Sequence, residues 1–448
     1  MWDTDGGVYL GYSTNATMRD DNPAFGQEIR YADDRHIMTI GPNGSGKSRR
    51  VLLPNLLTLT GWSVVVVDPK GELCERSRAQ REATGARTVI LNPFDVLQLK
   101  SDGFNPIAAL DKSSDDFPDD ALSLADAMIR IEGRDPHWGA AAQDLLAALI
   151  MYSRLSQSDG GSLSHVREIL GRKPEKFKET IELALKVAEK QNCPELSAKA
   201  ARYAEISPEN RELTSILSTA LTQTRWLDSR PIKHDLDSTA QHDFRDLKNH
   251  PTTVYIILPA NRLGTHSTWM RLMIAAILLP MLKDTSAGTV PLLLMLDEYP
   301  ALAEGGFSIV EKNMAMFRGY GIKLWTVFQD LSQAKKLYGD HWESFAANAG
   351  VLQSFAPQDI VTADYLSKRM PLTVMRAETI SRNFGGDGND KNPPATHSMN
   401  ASEQGMPLML PQHLRNMDDG FSIIFSHKTK GPVRSHFPFE GRTATARR

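Results

Sequence analysis

The stretch HIMTIGPNGSGKS, residues 36–48, decides the fold. A short run of strand-forming residues leads into a glycine-rich loop that fits the pattern G-x-x-x-x-G-K-[ST] from Gly41 to Ser48. Gly41, Gly44 and Gly46 let the backbone wrap tightly and aim its N–H groups at phosphate oxygens. A helix that begins directly after the loop adds its positive end to the attraction. The stretch therefore predicts a nucleotide-phosphate site in an α/β protein.

The side chains of this loop have separate predicted roles. Lys47 reaches the β- and γ-phosphates of ATP, and the hydroxyl of Ser48 ligates Mg²⁺. A chance match in a glycine-rich turn would occur in roughly 2% of chains of this length, but the flanking strand and helix favour a real site. The predicted phosphate-binding residues are Gly41, Pro42, Asn43, Gly44, Ser45, Gly46, Lys47 and Ser48.

Outward from this loop, strand and helix patterns alternate. Continuous apolar runs bounded by polar turns predict buried strands of a mainly parallel sheet that helices cover on both faces. These runs are SVVVVD, RTVILNPF, TTVYIILP, PLLLMLDEYP, IKLWTVFQD and VLQSFAP, with FSIIFS and PVRSHF as late strands.

Between residues 105 and 248 the strand pattern disappears and amphipathic helical patterns replace it. We therefore predict an N-terminal segment (1–34), a nucleotide-binding domain in two parts (35–104 and 249–448) and an inserted all-helical domain (105–248). The polar stretch from Arg376 to Gly405 is rich in Gly, Asn and Pro, and it predicts a mobile loop.

Two later strands end in polar side chains that suit ATP hydrolysis. The run LLLML ends in Asp297 and Glu298; we expect Asp297 to hold Mg²⁺ and Glu298 to polarise the attacking water. A solvated acidic pair that caps the next helix is the alternative. Gln329 ends the following strand, where its amide could sense the γ-phosphate or orient water.

Arg318 lies between the acidic pair and the glutamine strand, in MAMFRGYG. It could be a surface arginine favoured by the dipole at the end of a helix. It could also be an arginine finger that reaches the γ-phosphate bound by a neighbouring subunit. The spacing alone leaves both open.

Composition limits the classes of function. The 448 residues carry a formal net charge of −3, so nucleic acid must be held by a local patch and not by the whole surface. The basic segment 167–178 is one such cluster, although a solvated helical face explains it as well. Two distant cysteines indicate a reducing compartment, the first residues lack a signal peptide, and scattered histidines predict no structural metal. We expect a soluble chain.

Taken together, these motifs resemble the TraG-like coupling ATPases of type IV secretion and bacterial conjugation. The resemblance covers most of the chain, and DPKGEL and DEYPAL are its most specific parts. It implies a RecA-like P-loop NTPase domain with an inserted all-helical domain, ATP and Mg²⁺ as cofactors, and a homo-hexameric ring. It also implies catalytic roles in ATP hydrolysis at the positions of Lys47, Glu298, Gln329 and, as an arginine finger, Arg318, with Ser48 and Asp297 at the metal.

The resemblance further implies a partner and a place in the cell. Such proteins bring DNA, single-stranded or relaxase-bound, or secreted proteins to the components of a type IV secretion channel at the cytoplasmic face of the inner membrane. This chain departs from them because it lacks membrane-spanning helices, so we expect membrane contact only through partners or through a missing N-terminal segment. Two alternatives stay open: a substrate-receptor adaptor that uses ATP as an assembly switch, and a DNA translocase of the FtsK or HerA type.

Overall fold

The computed structural model describes residues 6–14, 26–131, 136–207, 210–240, 242–285, 288–304, 306–384 and 395–437. Strand bounds follow the apolar runs of the sequence closely. The strands are β1 (Val8–Ser13), β2 (Glu28–Tyr31), β3 (His36–Ile40), β4 (Ser63–Val67), β5 (Arg87–Leu91), β6 (Thr252–Ile256), β7 (Leu292–Leu296), β8 (Ile322–Phe328), β9 (Ala349–Ser354), β10 (Leu372–Phe384), β11 (Ala395–Pro407), β12 (Phe421–Ser426) and β13 (Val433–His436).

Most of these strands form one eleven-stranded sheet in the order β2-β1-β13-β12-β9-β3-β8-β7-β4-β6-β5. The seven strands from β9 to β5 in this order run parallel, and β12, β13, β1 and β2 extend the sheet antiparallel. Strands β1 and β2 belong to the segment 1–34, which was predicted to be separate from the nucleotide-binding domain. The described part of this segment completes one edge of the same sheet.

Helices occupy both faces of the sheet and the long connection between β5 and β6. They are α1 (Leu53–Thr58), α2 (Glu72–Ala83), α3 (Phe117–Met128), α4 (His137–Ser156), α5 (Leu163–Leu170), α6 (Pro174–Gln191), α7 (Pro194–Ala204), α8 (Arg211–Gln223), α9 (Arg230–Leu236), α10 (Leu263–Lys283), α11 (Tyr299–Ala303), α12 (Ser308–Phe317), α13 (Leu331–Tyr338), α14 (Trp342–Asn348), α15 (Ile360–Lys368) and α16 (Pro411–Arg415).

Alternation along the central strands divides the core into two layers. In β4, Val65 and Val67 face a large layer that contains the residues of α3, α4 and α10, whereas Val64 and Val66 face a smaller layer with α1, α2 and β1. Successive strand side chains point to opposite faces, so an all-valine strand needs apolar cover on both sides. The predicted α/β class, a mainly parallel RecA-like sheet with a helical insertion, is confirmed.

The helical connection contains no strand among the described residues of 105–248. Its helices α3, α4, α6 and α8 match the amphipathic patterns of the sequence, and the shorter α5, α7 and α9 went unpredicted. The domain boundaries themselves remain predictions.

The prediction of a mobile loop from Arg376 to Gly405 was wrong for the described residues of this range. Strands β10 and β11 pair antiparallel in a separate two-stranded ribbon, from Leu372 opposite Pro407 to Phe384 opposite Ala395. Residues 385–394, the most Gly- and Asn-rich part, lie outside the described residues. The prediction failed because the composition of that centre hid the strand-forming residues on either side.

The buried carboxyl group of Asp235 links the segment that follows β5 to the helical connection. Asp235 of α9 accepts a hydrogen bond from Ser101 and, through its backbone oxygen, one from the N–H of Phe104 (3.0 Å). Its Oδ2 is buried and has no hydrogen-bond partner among the described residues. Burial raises the pKa of Asp235 from 3.8 to about 6; the charge of Asp102 adds to the rise, and Ser101 and His234 oppose it.

We expect Asp235→Asn to stabilise the protein at pH 8 by about 3 kcal/mol, since a pKa shift of about two units costs the folded state this much when the group is ionised. A folded-state pKa above the unfolded one means that this cost is full above pH 6 and disappears as the pH falls toward 4. Urea denaturation at pH 8 and pH 4.5 measures it, with the exposed Asp115→Asn as the control. Equal gains at both pH values would contradict the assignment.

None of the described helices is both long enough and apolar enough to cross a membrane.

Candidate nucleotide site

The glycine-rich loop lies at the carboxyl end of β3, the middle strand of the eleven-stranded sheet. The N–H of Gly41 donates to the oxygen of Phe328 in β8 (3.0 Å), which fixes the start of the loop against the next strand. Gly44 and Gly46 have φ angles of 81° and 82°, which L side chains rarely adopt. A π-helical turn, Ser48–Leu52, follows and continues into α1. The loop therefore has the strand, turn and helix that phosphate binding needs.

Lys47 is folded back over its own loop. Its Nζ donates to the backbone oxygens of Gly41 (2.5 Å) and Pro42 (3.3 Å), and the residue is 7% exposed. Burial lowers the pKa of Lys47, while the charges of Asp297 and Glu298 oppose that effect. A buried ammonium group that donates to loop carbonyls is well placed to transfer its hydrogen bonds to phosphate oxygens.

Ser48 and Asp297, the two residues predicted to hold Mg²⁺, lie close together across the site. The Ser48 hydroxyl donates to Asp297 Oδ2 at 3.3 Å, and Asp297 directly follows β7 at the carboxyl ends of the parallel strands, where the loop also lies. Burial raises the pKa of Asp297 to about 6, and the charge of Glu298 adds to the rise. The buried Ser45 hydroxyl has no hydrogen-bond partner among the described residues. Hard oxygen donors beside an unpaired buried hydroxyl fit Mg²⁺ and a phosphate chain.

Glu298 and Gln329 form a second contact of the site. Gln329 Nε2 donates to Glu298 Oε2 at 3.0 Å, so the carboxylate predicted as base and the amide predicted as sensor are directly joined. Glu298 has a φ of 54°, in the left-handed region that a non-glycine residue rarely adopts. Such strain beside several charged groups favours a functional role for Glu298 over simple helix capping.

Two residues near the site had no predicted role. Asp68 directly follows β4 and lies beside Asp297, because Val67 pairs with Leu296. Burial raises the pKa of Asp68 to about 7, and the Asp297 charge contributes. An apolar run that ends in Asp was the same sequence signal that identified Asp297 and could have found Asp68.

Arg50 follows the phosphate loop in the first helical turn. Its guanidinium donates to the Ser45 oxygen at 3.0 Å and packs beside Gly46, where an added Cβ would lie 3.0 Å from the arginine side chain. Arg50 therefore supports the phosphate loop from outside.

Arg318 lies apart from all of these residues. It follows α12 and precedes β8, whereas Gln329 follows β8, so the strand separates them by about 20 Å at 3.3 Å per residue. The Arg318 side chain is 57% exposed and forms an ion pair with Asp34. Within one chain, Arg318 thus lies at the amino ends of the parallel strands, whereas the phosphate loop lies at their carboxyl ends.

Most of the basic side chains in segment 167–178 have hydrogen-bond or ion-pair partners within the protein. Arg167 pairs with Asp228 (2.7 Å) and Lys176 with Glu179 (2.7 Å), while Arg172 donates to Thr180 (2.7 Å). This supports the solvated helical face over a free basic patch.

Comparison with curated proteins gives similarity along most of the chain. The chain is 27% identical over 403 residues to the conjugal transfer protein TraG of Escherichia coli, covering 84% of this chain and 60% of that protein. It is 26% identical over 430 residues to the protein VirD4 of Agrobacterium fabrum, covering 93% and 59%. The chain thus spans about three fifths of the length of these relatives.

Solved structures show the same fold. The bacterial conjugative coupling protein TrwBdeltaN70 aligns with a TM-score of 0.66 at 15% identity, covering 96% of this chain and 93% of that one. The plasmid coupling protein TrwB in complex with ADP and Mg²⁺ aligns with a TM-score of 0.63 at 14% identity, covering 98% and 97%.

The family model for conjugative DNA transfer by type IV secretory systems matches residues 5–439. This range includes Lys47, Asp68, Asp297 and Gln329, together with the helical connection. The chain belongs to the type IV secretory system conjugative DNA transfer family.

Proposed function

We propose that this chain is a ring-forming ATPase that couples ATP hydrolysis to the transfer of DNA, nucleoprotein or protein substrates to a type IV secretion channel. One observation carries the ATPase part: neighbouring strands β3, β8 and β7 bring Lys47, Gln329 and the Asp297–Glu298 pair to one edge of the sheet. The family and the names of its relatives support the transfer part.

Hydrolysis at this site is mainly a matter of position and charge. Backbone N–H groups of residues 41–48 and the Lys47 ammonium group hold the phosphates. Glu298 accepts a hydrogen bond from the attacking water and draws its proton, and Gln329 fixes the Glu298 carboxylate through the 3.0 Å contact. The product of this step is inorganic phosphate, with ADP left on the loop.

Ser48 and Asp297 are the residues that would hold Mg²⁺, which neutralises charge on the phosphates when bound. TrwB, a structure of the same fold, was solved with ADP and Mg²⁺ and with a non-hydrolysable ATP analogue. These complexes support ATP and Mg²⁺ as the ligands of this chain.

The position of Arg318 supports a ring. Arg318 lies at the amino ends of the parallel strands, and its own phosphate loop lies at their carboxyl ends. An arginine in this position can reach a γ-phosphate only in a neighbouring subunit. We therefore assign Arg318 as the arginine finger of a closed homo-oligomer, with six subunits as the resemblance implies. We place this assembly at the cytoplasmic face of the inner membrane, where a secretion channel would receive its substrate.

We propose that the chain has three parts. They are an N-terminal segment (1–34), a nucleotide-binding domain in two pieces (35–104 and 249–448) and an inserted all-helical domain (105–248).

Steady-state ATP hydrolysis against protein concentration, with and without single-stranded and duplex DNA, tests this function. We expect turnover per subunit to rise steeply with concentration, because the finger comes from a neighbour, and to rise again with DNA. Turnover that is independent of concentration would contradict the ring. ATP binding without any response to DNA would contradict DNA as the cargo and would favour a protein-substrate adaptor.

A further inference from the structure

A cleft of about 610 Å³ opens at the amino ends of the parallel strands, on the side of the sheet away from the candidate nucleotide site. Arg35 precedes β3 and Gly350 lies near the start of β9, which places both at the amino ends of parallel strands. The turn after β12 closes the other side, because Ser426 pairs with Val351. Side chains that matter to its chemistry are Arg35, Glu343, Tyr365, Arg369, Phe425 and Lys430.

The described lining of the cleft carries an excess of positive charge. Arg35, Arg369 and Lys430 are exposed, and none of them forms an ion pair with a carboxylate among the described residues. The neighbouring Lys428 is different, because its Nζ lies 3.5 Å from Asp33 Oδ2. Glu343 contributes one acidic side chain to the described lining. Unpaired cations gathered in one concave surface attract an anion with several charges.

Aromatic rings accompany these cations. The Arg369 guanidinium lies 5.1 Å from the ring centre of Phe425 and 5.7 Å from that of Tyr365. Tyr365 is half-buried and is supported edge-on by Trp342, with ring centres 4.9 Å apart. Cations interleaved with aromatic faces are typical of surfaces that hold nucleotide phosphates and stack bases.

We propose that this cleft binds a segment of single-stranded nucleic acid. Arg35, Arg369 and Lys430 contact successive phosphates, and Tyr365 with the Arg369 guanidinium offers a stacking face to a base. An acidic peptide would satisfy the charges but would leave the stacking faces unused. The proposal rests on the proposed function for the identity of the cargo, but it concerns a surface separate from the nucleotide site.

Fluorescence anisotropy of a labelled oligothymidylate, measured without nucleotide at several salt concentrations, tests the proposal independently of ATP hydrolysis. For the triple variant Arg35→Ala, Arg369→Ala, Lys430→Ala we expect affinity to fall roughly tenfold or more and the slope of log affinity against log salt to fall by about 2, at about 0.7 per lost phosphate contact. The control variant Arg76→Ala, Arg230→Ala, Lys186→Ala removes the same charge from exposed helix positions. Equal losses in both variants would overturn the proposal.

Two further measurements separate binding from misfolding and from acidic proteins. Glu343→Gln removes the acidic side chain from the lining, and we expect it to tighten oligothymidylate binding about twofold to fourfold, a gain that a misfolded protein cannot give. Tyr365→Leu should weaken oligothymidylate binding more than binding of polyglutamate. If polyglutamate competes as well as DNA of equal charge and Tyr365→Leu affects neither, the cleft holds an acidic protein segment and the proposal is wrong.

Discussion

Arg318→Ala is expected to bind ATP normally and to lose turnover by about 10³-fold or more, the range found for arginine fingers supplied by a neighbouring subunit. The reason is positional: Arg318 precedes β8, while the phosphate loop and Gln329 lie at the carboxyl edge of the sheet. The exposed ion pair of Arg318 with Asp34 contributes at most about 1 kcal/mol to stability, so the fold should be unaffected. Binding of a fluorescent ATP analogue and steady-state phosphate release measure the two effects.

A mixing experiment decides whether Arg318 acts in trans. Lys47→Ala subunits keep the finger but lack a working site, and Arg318→Ala subunits keep the site but lack the finger. If the finger acts between subunits, mixing the two inactive variants should restore hydrolysis in mixed rings well above the sum of the separate activities. Arg318→Lys should rescue poorly, because an ammonium group lacks the planar fork of guanidinium. Arg76→Ala is the matched exposed control. Failure of the mixture to regain activity would place Arg318 outside the reaction.

Lys47→Ala is expected to weaken ATP binding by roughly 100-fold, since a hydrogen bond to a charged group contributes about 2–3 kcal/mol. Turnover should fall by about 10³-fold as well, because the ammonium group offsets charge that develops on the γ-phosphate. Lys47 is buried and donates to Gly41 and Pro42, so its hydrogen bonds are already directed into the loop. Isothermal titration with an ATP analogue and phosphate release measure both.

The exposed Lys100→Ala, beyond β5, is the control for loss of one positive charge. The melting temperature of Lys47→Ala should stay near that of the wild-type protein. Hydrolysis that survives in Lys47→Ala at the wild-type rate would show that residues 41–48 are not the catalytic phosphate site, whatever their geometry.

Local sequence was a sufficient guide wherever one short segment sets its own conformation. The loop 41–48 needs glycines at positive φ, and β4 and β7 are apolar runs that must be covered on both faces, so pattern and structure agree. The longer helices of the connection, α4, α6 and α8 among them, were equally predictable from their periodicity, whereas the shorter α5, α7 and α9 were not. The ribbon β10–β11 was not, because a Gly- and Asn-rich centre outweighed its flanks in composition.

The amino-acid sequence by itself determined the phosphate loop, the parallel strands and the residue types that suit hydrolysis, since each depends on neighbours along the chain. Only the tertiary structure decided which of them meet. Strand order places Asp68 beside Asp297 and joins Gln329 to Glu298. Strand direction places Arg318 and the basic cleft at the amino ends of the strands, away from the phosphate loop. Order and direction arise from packing between segments that lie tens to hundreds of residues apart, which no local pattern encodes.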